Sequence, residues 1–245
     1  MVKLSEPTPD HAAHTETMRL IAVHLLARAR HAATGRFGLR PTPGGLGTGR
    51  FGPDNTQVRM SGATLVHETA GDAGASTRTL PVDGRTFGEL AAFVGVDLVD
   101  GFSVGHDTPD LPGADHVVRL DDRAATLVGD WYAFCDCVLI RFLAERPDST
   151  PTGLQVWPEH FDLGTDLDAT PGGERMNVGG SPGDSYSAEP YLYVGPRSTA
   201  RPGDPDYWNA PFGAAIGLGE LAASGRPDQA ALEFLRRGAS LLTEA

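Results

Sequence analysis

The segment WPEHFDL, residues 157–163, is the one place in this chain where a histidine, two acids, a tryptophan and a proline come together. His160 and Asp162 are two positions apart within it. A carboxylate beside a histidine fixes the tautomer of the imidazole and stabilises its protonated form, which suits general acid–base catalysis. The segment therefore predicts a site and leaves open whether it serves catalysis, binding or structure.

The elements around this segment alternate between polar and apolar residues, as strands do. A strand over 160–168 would carry His160 and Asp162 on the face opposite Phe161 and Leu163. Pairing it with the strand-like segments 175–180 and 189–195, apolar face to apolar face, gathers the polar side chains on one side. Glycines on the same face leave room beside them, so we predict a lined cavity. Its polar members are His160, Asp162, Asn177, Glu189, Tyr191 and Tyr193.

Roles follow from these side-chain types. We expect His160 to act as a general base or metal ligand, Asp162 to orient it, and Glu189 to be the second acid–base group. The predicted substrate-binding residues are Trp157, Asn177, Asp184, Tyr191 and Tyr193, with Ser181 at the rim. The chain would then be a small-molecule enzyme. The alternatives are a non-catalytic binding protein with the same pocket, and a scaffold protein in which these residues only close turns of the sheet.

A metal is not required by this pattern. His160-x-Asp162 matches the first half of a non-haem iron triad, which needs a second histidine. No histidine follows His160 in the chain, so an iron site is disfavoured. A divalent metal at His160, Asp162 and Glu189 is possible but not indicated, and we predict no cofactor.

Several other motifs indicate little chemistry. The glycine-rich loop 44–52 contains GTGRFG but is not followed by a helix, so nucleotide binding is disfavoured. The loop 106–116 is rich in oxygen donors and could cover a pocket. We expect the histidines of the first helix to lie at its surface or rim. Cys135 and Cys137 lie two apart in a helix, which predicts reduced thiols.

Helical and strand periodicities alternate along the chain. The first helix is predicted from the N-cap Thr8 to Gly35, and a capping box of Thr86 and Glu89 opens a short helix. Strand-like segments at 56–60 and 63–69 precede that short helix. The strongest helix begins at Asp121 and is closed by Pro147. Two further helices are predicted over 211–223 and 228–242.

We therefore predict an α+β fold, with a mostly antiparallel meander packed against a long central helix and terminal helices. The predicted organisation is a single domain over residues 1–245. Its parts are an N-terminal helix (1–35), strands, a short helix and loops (36–120), a core helix (121–146), the meander (150–200) and C-terminal helices (208–243).

The composition limits the class of partner. A formal charge of −12 argues against nucleic acid, because phosphate binding needs clustered basic residues. No segment approaches the apolar length of a membrane span, and the N-terminus has no secretory signal. We expect a cytoplasmic protein whose partner is a small molecule, and the oligomeric state is left open.

The series WPEHFDL, SPGD, EPYLYVGP and WNAPFG resembles a family of uncharacterised bacterial proteins, mostly from high-GC organisms, that carry a similar ordered set of motifs. The resemblance covers about residues 154–215, and the order of four motifs is more specific than any one of them. It implies one shared constellation of His160, Asp162, Ser181, Asp184, Glu189 and Tyr191, and it brings no activity with it.

Overall fold

The structure is a computed structural model that describes residues 4–72, 74–169 and 173–243. Two antiparallel five-stranded sheets and several helices make up the chain, which confirms the predicted α+β class and its long central helix. The chain divides into two compact units, which are described separately. Unit 1 comprises Met1–Glu6, Phe134–Gln155 and Asp162–Ala245, and unit 2 comprises Pro7–Ala133 and Val156–Phe161. The single-domain organisation stays a prediction.

Unit 2 opens with a helix in three parts. Helix α1 (His11–Ile21) continues into a π-helical segment (Ala22–Ala27) and then into α2 (Arg28–Thr34). The predicted N-cap Thr8 is wrong by two residues, because Asp10 is the residue that precedes the first helical turn. The predicted end is confirmed, since Gly35 adopts the left-handed conformation with φ of 69°, which a glycine takes without steric cost.

The first sheet lies in unit 2 and has the order β1-β2-β3-β4-β5. The two predicted strands are β3 and β4, whereas β1, β2 and β5 were not predicted. Strands β1 and β2 have only three residues each, and β5 is polar and mostly exposed, so none shows an alternating pattern. The strands are β1 (Arg40–Thr42), β2 (Gly45–Gly47), β3 (Gln57–Ser61), β4 (Thr64–Gly71) and β5 (Gly74–Pro81).

Two helices of the prediction are confirmed by their caps. Helix α3 (Phe87–Val94) begins with the predicted capping box, in which Thr86 and Glu89 satisfy each other's backbone N–H groups. The long helix α4 (Asp122–Ala144) begins after Asp121, whose carboxylate accepts hydrogen bonds from the N–H groups of Arg123 and Ala124 at 2.9 and 3.0 Å.

The second sheet has the order β10-β9-β8-β7-β6. It is the meander predicted from the strand-like segments 152–157, 160–168, 175–180 and 189–195, with one further strand. Its strands are β6 (Gln155–Trp157), β7 (Asp162–Asp168), β8 (Arg175–Ser181), β9 (Tyr191–Pro196) and β10 (Ala214–Gly217). Residues 170–172, within the predicted meander, lie outside the described residues.

The C-terminal prediction is partly wrong. Residues 211–223 are not one helix, because their first half forms β10, which pairs with β9 through Ala214↔Val194 and three further positions. Helix α5 is therefore only Leu218–Ala223, whereas α6 (Pro227–Thr243) matches the last predicted helix.

None of the helices in the described parts of the chain combines the length and the apolar character that crossing a membrane requires.

Gly129 sets how closely α4 approaches the β1–β2 hairpin within unit 2. A Cβ atom at this position would lie 2.8 Å from the carbonyl carbon of Gly44 and 2.9 Å from the amide nitrogen of Gly45. Both are backbone atoms that cannot rotate away. The helix and the hairpin are thus in backbone contact, and a side chain between them would force them apart.

We predict that Gly129→Ala destabilises the protein by about 1–3 kcal/mol, the usual cost of overpacking. Gly219→Ala is the matched control, because it lies in α5 with no atom within 4 Å of its added Cβ. The control should be neutral or stabilising by up to about 1 kcal/mol. Urea unfolding midpoints compare the two, and equal midpoints would contradict the close approach.

Candidate functional site

The segment WPEHFDL is divided by a turn, and the predicted strand over 160–168 is wrong at its start. Strand β7 begins at Asp162, whereas residues 158–161 form a turn. Phe161 has a φ of 55°, a left-handed conformation that non-glycine residues rarely adopt. The alternation that would place His160 and Asp162 on one face is broken there. His160 belongs to unit 2, and Asp162 is the first residue of the last segment of unit 1.

The turn is stabilised from within unit 2. The Phe161 N–H donates to the carbonyl oxygen of Trp157 at 2.7 Å. The hydroxyl of the buried Tyr132 donates to the carbonyl oxygen of Phe161 at 2.9 Å, and the two rings pack edge to face. These contacts hold Phe161 in its strained conformation, so the side chains before and after it point in different directions.

In unit 1, one face of the second sheet carries a network of tyrosines and carboxylates. The Tyr191 hydroxyl donates to Oδ2 of Asp184 at 2.6 Å, and the Ser181 hydroxyl lies 3.4 Å from the same oxygen. The Tyr193 hydroxyl donates to Oδ2 of Asp162. The structure therefore brings together five of the predicted residues in two hydrogen-bonded groups, which we call the tyrosine–carboxylate network.

Both tyrosines of the network are neutral hydrogen-bond donors. Burial raises the pKa of Tyr193, and the adjacent Asp162 carboxylate raises it further. Burial and the hydrogen bond to Asp184 likewise raise the pKa of Tyr191 far above the ordinary tyrosine value. Because neither phenol ionises at neutral pH, neither can serve as a base there. Such groups suit hydrogen bonding to a ligand or to the protein itself.

The space above the glycines is filled, contrary to the expected cavity. Gly164, Gly179 and Tyr193 lie opposite one another on three adjacent strands. A Cβ atom at Gly164 would lie 2.7 Å from the Tyr193 hydroxyl oxygen, and one at Gly179 would overlap the same ring. The glycines are therefore small so that the Tyr193 ring can cross the sheet to Asp162.

The remaining predicted residues are less closely associated. Asn177 is exposed and pairs across the strands with Asp166, whose carboxylate binds Arg175 and Arg197. Glu189 precedes β9 and is exposed, and its described hydrogen bonds are between its backbone and Ser187. Trp157 lies in unit 2 at the start of the turn and is half-buried.

We predict that Tyr193→Phe lowers the free energy of unfolding by about 1–3 kcal/mol, because it removes a buried hydrogen bond to a charged group. Tyr186→Phe is the matched control, since that ring is 43% exposed and its change should stay within about 0.5 kcal/mol. Chemical denaturation measures both. Equal losses for the two variants would contradict the tyrosine–carboxylate network.

In unit 2, His160 meets a carboxylate that sequence reasoning did not pair with it. His160 Nδ1 lies 3.7 Å from Oδ2 of Asp107, and His106 Nδ1 lies 3.1 Å from the other carboxylate oxygen. The hydrogen bond from His106 lowers the pKa of Asp107, and the positive charges of His106, His160 and Arg19 add to this. Asp107 is therefore an ionised partner for His160.

Glu159 is the buried acid of the same turn. Its residue is 7% exposed, and its Oε2 has no hydrogen-bond partner among the described residues. Gly105 packs against it so closely that a Cβ there would lie 2.9 Å from Oε1. Arg19 donates to the Glu159 carbonyl oxygen at 3.2 Å. A buried carboxylate oxygen without a partner is costly, so it calls for a functional explanation.

His24 is a further residue that sequence reasoning missed. The prediction that the helix histidines lie at the surface is wrong for His24, which is 2% exposed, and for His11, which is also buried. His24 lies in the π-helical segment and lines a cavity of about 370 Å³ beside the loop 99–111. Burial lowers its pKa, and Arg28 and Arg19 lower it further, against the opposing effect of the Pro109 and Asp110 carbonyls.

The lowered pKa of His24 makes the protein sensitive to acid. Between the folded pKa and the ordinary value of about 6.5, the unfolded chain binds a proton at this residue that the folded chain does not. The contribution of neutral His24 to the free energy of unfolding is therefore complete above about pH 6.5. It is lost as the pH falls toward the pKa of His24 in the folded protein.

We predict that His24→Phe flattens the dependence of unfolding free energy on pH below about 6.5. The exposed His116 supplies the control His116→Phe, which should leave that slope unchanged. His67, whose pKa is also lowered by burial, keeps some slope in every variant. Denaturant titrations across this range measure the slopes, and an unaltered slope in His24→Phe would oppose the assignment.

Metal binding receives no support from the described residues. Within 4–72, 74–169 and 173–243, no group of three His, Cys, Asp or Glu side chains could hold a metal ion. The set of His160, Asp162 and Glu189 is thus not such a group.

Comparisons of this chain with protein-family models, with curated proteins and with solved structures found no match. The resemblance of its motif series to a bacterial family stays a hypothesis. The class that fold and site define is an α+β protein with a histidine–carboxylate pair in one unit and a tyrosine–carboxylate network in the other.

Proposed function

We propose that this chain is a small-molecule enzyme that uses His160 as a general acid–base group. The observation that carries the proposal is the Asp107 carboxylate 3.7 Å from the imidazole Nδ1 of His160. Asp107 would orient the ring, which is the part first expected of Asp162.

Glu159 is the proposed second carboxyl group, in place of Glu189. It precedes His160 in the turn, and its buried Oε2 has no partner among the described residues. An exposed histidine that reaches substrate and a buried acid beside it are together suited to proton transfer to and from a small polar molecule.

A second candidate is non-catalytic binding on the tyrosine–carboxylate network. The observation that favours it is the exposed Asp184 carboxylate beside Tyr191, whose neutral hydroxyl donates its one hydrogen to Asp184 and can still accept a hydrogen bond. Such groups can hydrogen-bond a ligand without moving a proton. This candidate needs none of the residues of the turn, so the two functions are separable by mutation.

We also propose a cytoplasmic location. Cys135 and Cys137 are both free thiols, and Cys135 is buried with its pKa raised by that burial. Persisting thiols are typical of a reducing compartment.

The test is a conversion screen of the full chain with small amines, organic acids, sugars and their phosphates, followed by one-dimensional NMR. At least one compound should be converted. His160→Gln and Asp107→Asn should each slow that conversion by about 10²-fold or more, the usual contribution of acid–base catalysis.

The control His116→Gln changes another exposed histidine and should retain the rate. Unfolding midpoints of all variants confirm that they are folded. Conversion that persists unchanged in His160→Gln would overturn the proposal. Compounds that bind without conversion, and whose binding is lost in Tyr191→Phe, would favour the second candidate.

A further inference from the structure

We propose that the cavity beside His24 binds a small primary amine in its ammonium form, with Nδ1 of His24 accepting a hydrogen bond from it. The cavity has a volume of about 370 Å³ and lies within unit 2. Its lining includes His24, Arg28, Asp100, Phe102, Thr108 and Asp110. The lining also includes His106, which is hydrogen-bonded to Asp107 of the proposed acid–base pair, but the proposal does not depend on that pair.

The hydrogen bond of His24 fixes which nitrogen is available. Nε2 lies 3.0 Å from the carbonyl oxygen of Pro109, and a carbonyl can only accept. Nε2 therefore carries the hydrogen, and in the neutral ring Nδ1 has a lone pair. Nδ1 is buried and has no hydrogen-bond partner among the described residues. A buried acceptor of this kind is completed by a ligand that donates.

The backbone around His24 also points to a site. His24 lies in the π-helical segment Ala22–Ala27, between two regular α-helical stretches. π-Helical turns inside α-helices are rare, and they are frequent at functional sites because they reposition side chains. The segment is buried throughout, so exposure to solvent does not explain it.

The donors that line the cavity are largely engaged with the protein. The Arg28 guanidinium donates to the carbonyl oxygens of Asp97 and Val99. It also stacks on Phe102, with its Cζ atom 4.7 Å from the ring centroid. The hydroxyls of Ser103 and Thr108 both donate to the Gly105 carbonyl oxygen, at 3.0 and 2.6 Å. The lining is therefore short of free donors and rich in acceptors.

The charge of the lining favours a cation. Asp100 and Asp110 are exposed carboxylates at the cavity, whereas Arg28 is its single permanent positive charge. An ammonium group donates N–H bonds and carries a charge that both carboxylates attract, whereas Arg28 and Arg19, which lower the pKa of His24, repel it. A carboxylate ligand would accept where acceptors already abound, and it would be repelled by the same two residues.

The experiment measures the imidazole nitrogens of His24 by NMR in the full, nitrogen-labelled chain, in a buffer free of amines at neutral pH. The probes are butylamine, butanol and butyrate, which share an alkyl chain and differ in the head group. In the free protein, Nε2 should be protonated and Nδ1 should not. Butylamine should shift Nδ1 saturably, with a Kd in the millimolar range or tighter, and butanol should bind more weakly.

His24→Phe keeps a ring but removes the acceptor, and it should abolish the backbone shifts that butylamine causes over 99–111. The control His116→Phe should retain them. The nitrogen shifts of the wild-type protein decide the question independently of how His24→Phe folds.

A protonated Nδ1 in the free protein would overturn the proposal. So would butyrate binding more tightly than butylamine, or the absence of any shift with all three probes. Equal binding of butanol and butylamine would contradict the assignment of a cation.

Discussion

The left-handed backbone of Phe161, with its φ of 55°, is the constraint that divides the segment WPEHFDL between a turn and strand β7. A phenylalanine adopts this conformation only when its surroundings impose it. Tyr132 does so by bonding the Phe161 carbonyl and packing against its ring. The residues before the turn, Glu159 and His160, thereby become part of unit 2, and those after it begin β7.

The division of one motif gives its side chains different chemistry. On the strand side, Asp162 accepts from a buried tyrosine and is part of a network whose phenols stay neutral. On the turn side, His160 is exposed beside an ionised Asp107, and Glu159 is buried beside Gly105. We therefore place the proposed proton transfer at the turn, because the phenols on the sheet stay neutral.

Local patterns predicted the elements that depend on local physics. The capping box at Thr86 and the strict periodicity of α4 need only nearby residues, and both were found. The alternation of β8 and β9 likewise placed Asn177, Tyr191 and Tyr193 correctly within their strands. Strand β10 was missed because its short sequence AAIG is compatible with a helix when considered alone. Only its backbone pairing with β9 makes it a strand.

The errors at the site all come from distant contacts. No local signal indicates a positive φ at Phe161, because the cause is Tyr132, far away in sequence. The burial of His24 depends on the loop that carries Pro109, and the pairing of His160 depends on Asp107. The glycines of β7 and β8 suggested a cavity, and only the register shows that Tyr193 fills the space.

The central claim is that His160 lies beside Asp107, and the titration of the Asp107 carboxyl carbon by NMR tests it most directly. His160→Gln removes one of the positive charges that hold the pKa of Asp107 down, so that pKa should rise toward the ordinary value. His106→Gln, which removes the larger influence, should raise it more. An Asp107 pKa that rises in His106→Gln but is identical in His160→Gln and the wild type would contradict the account.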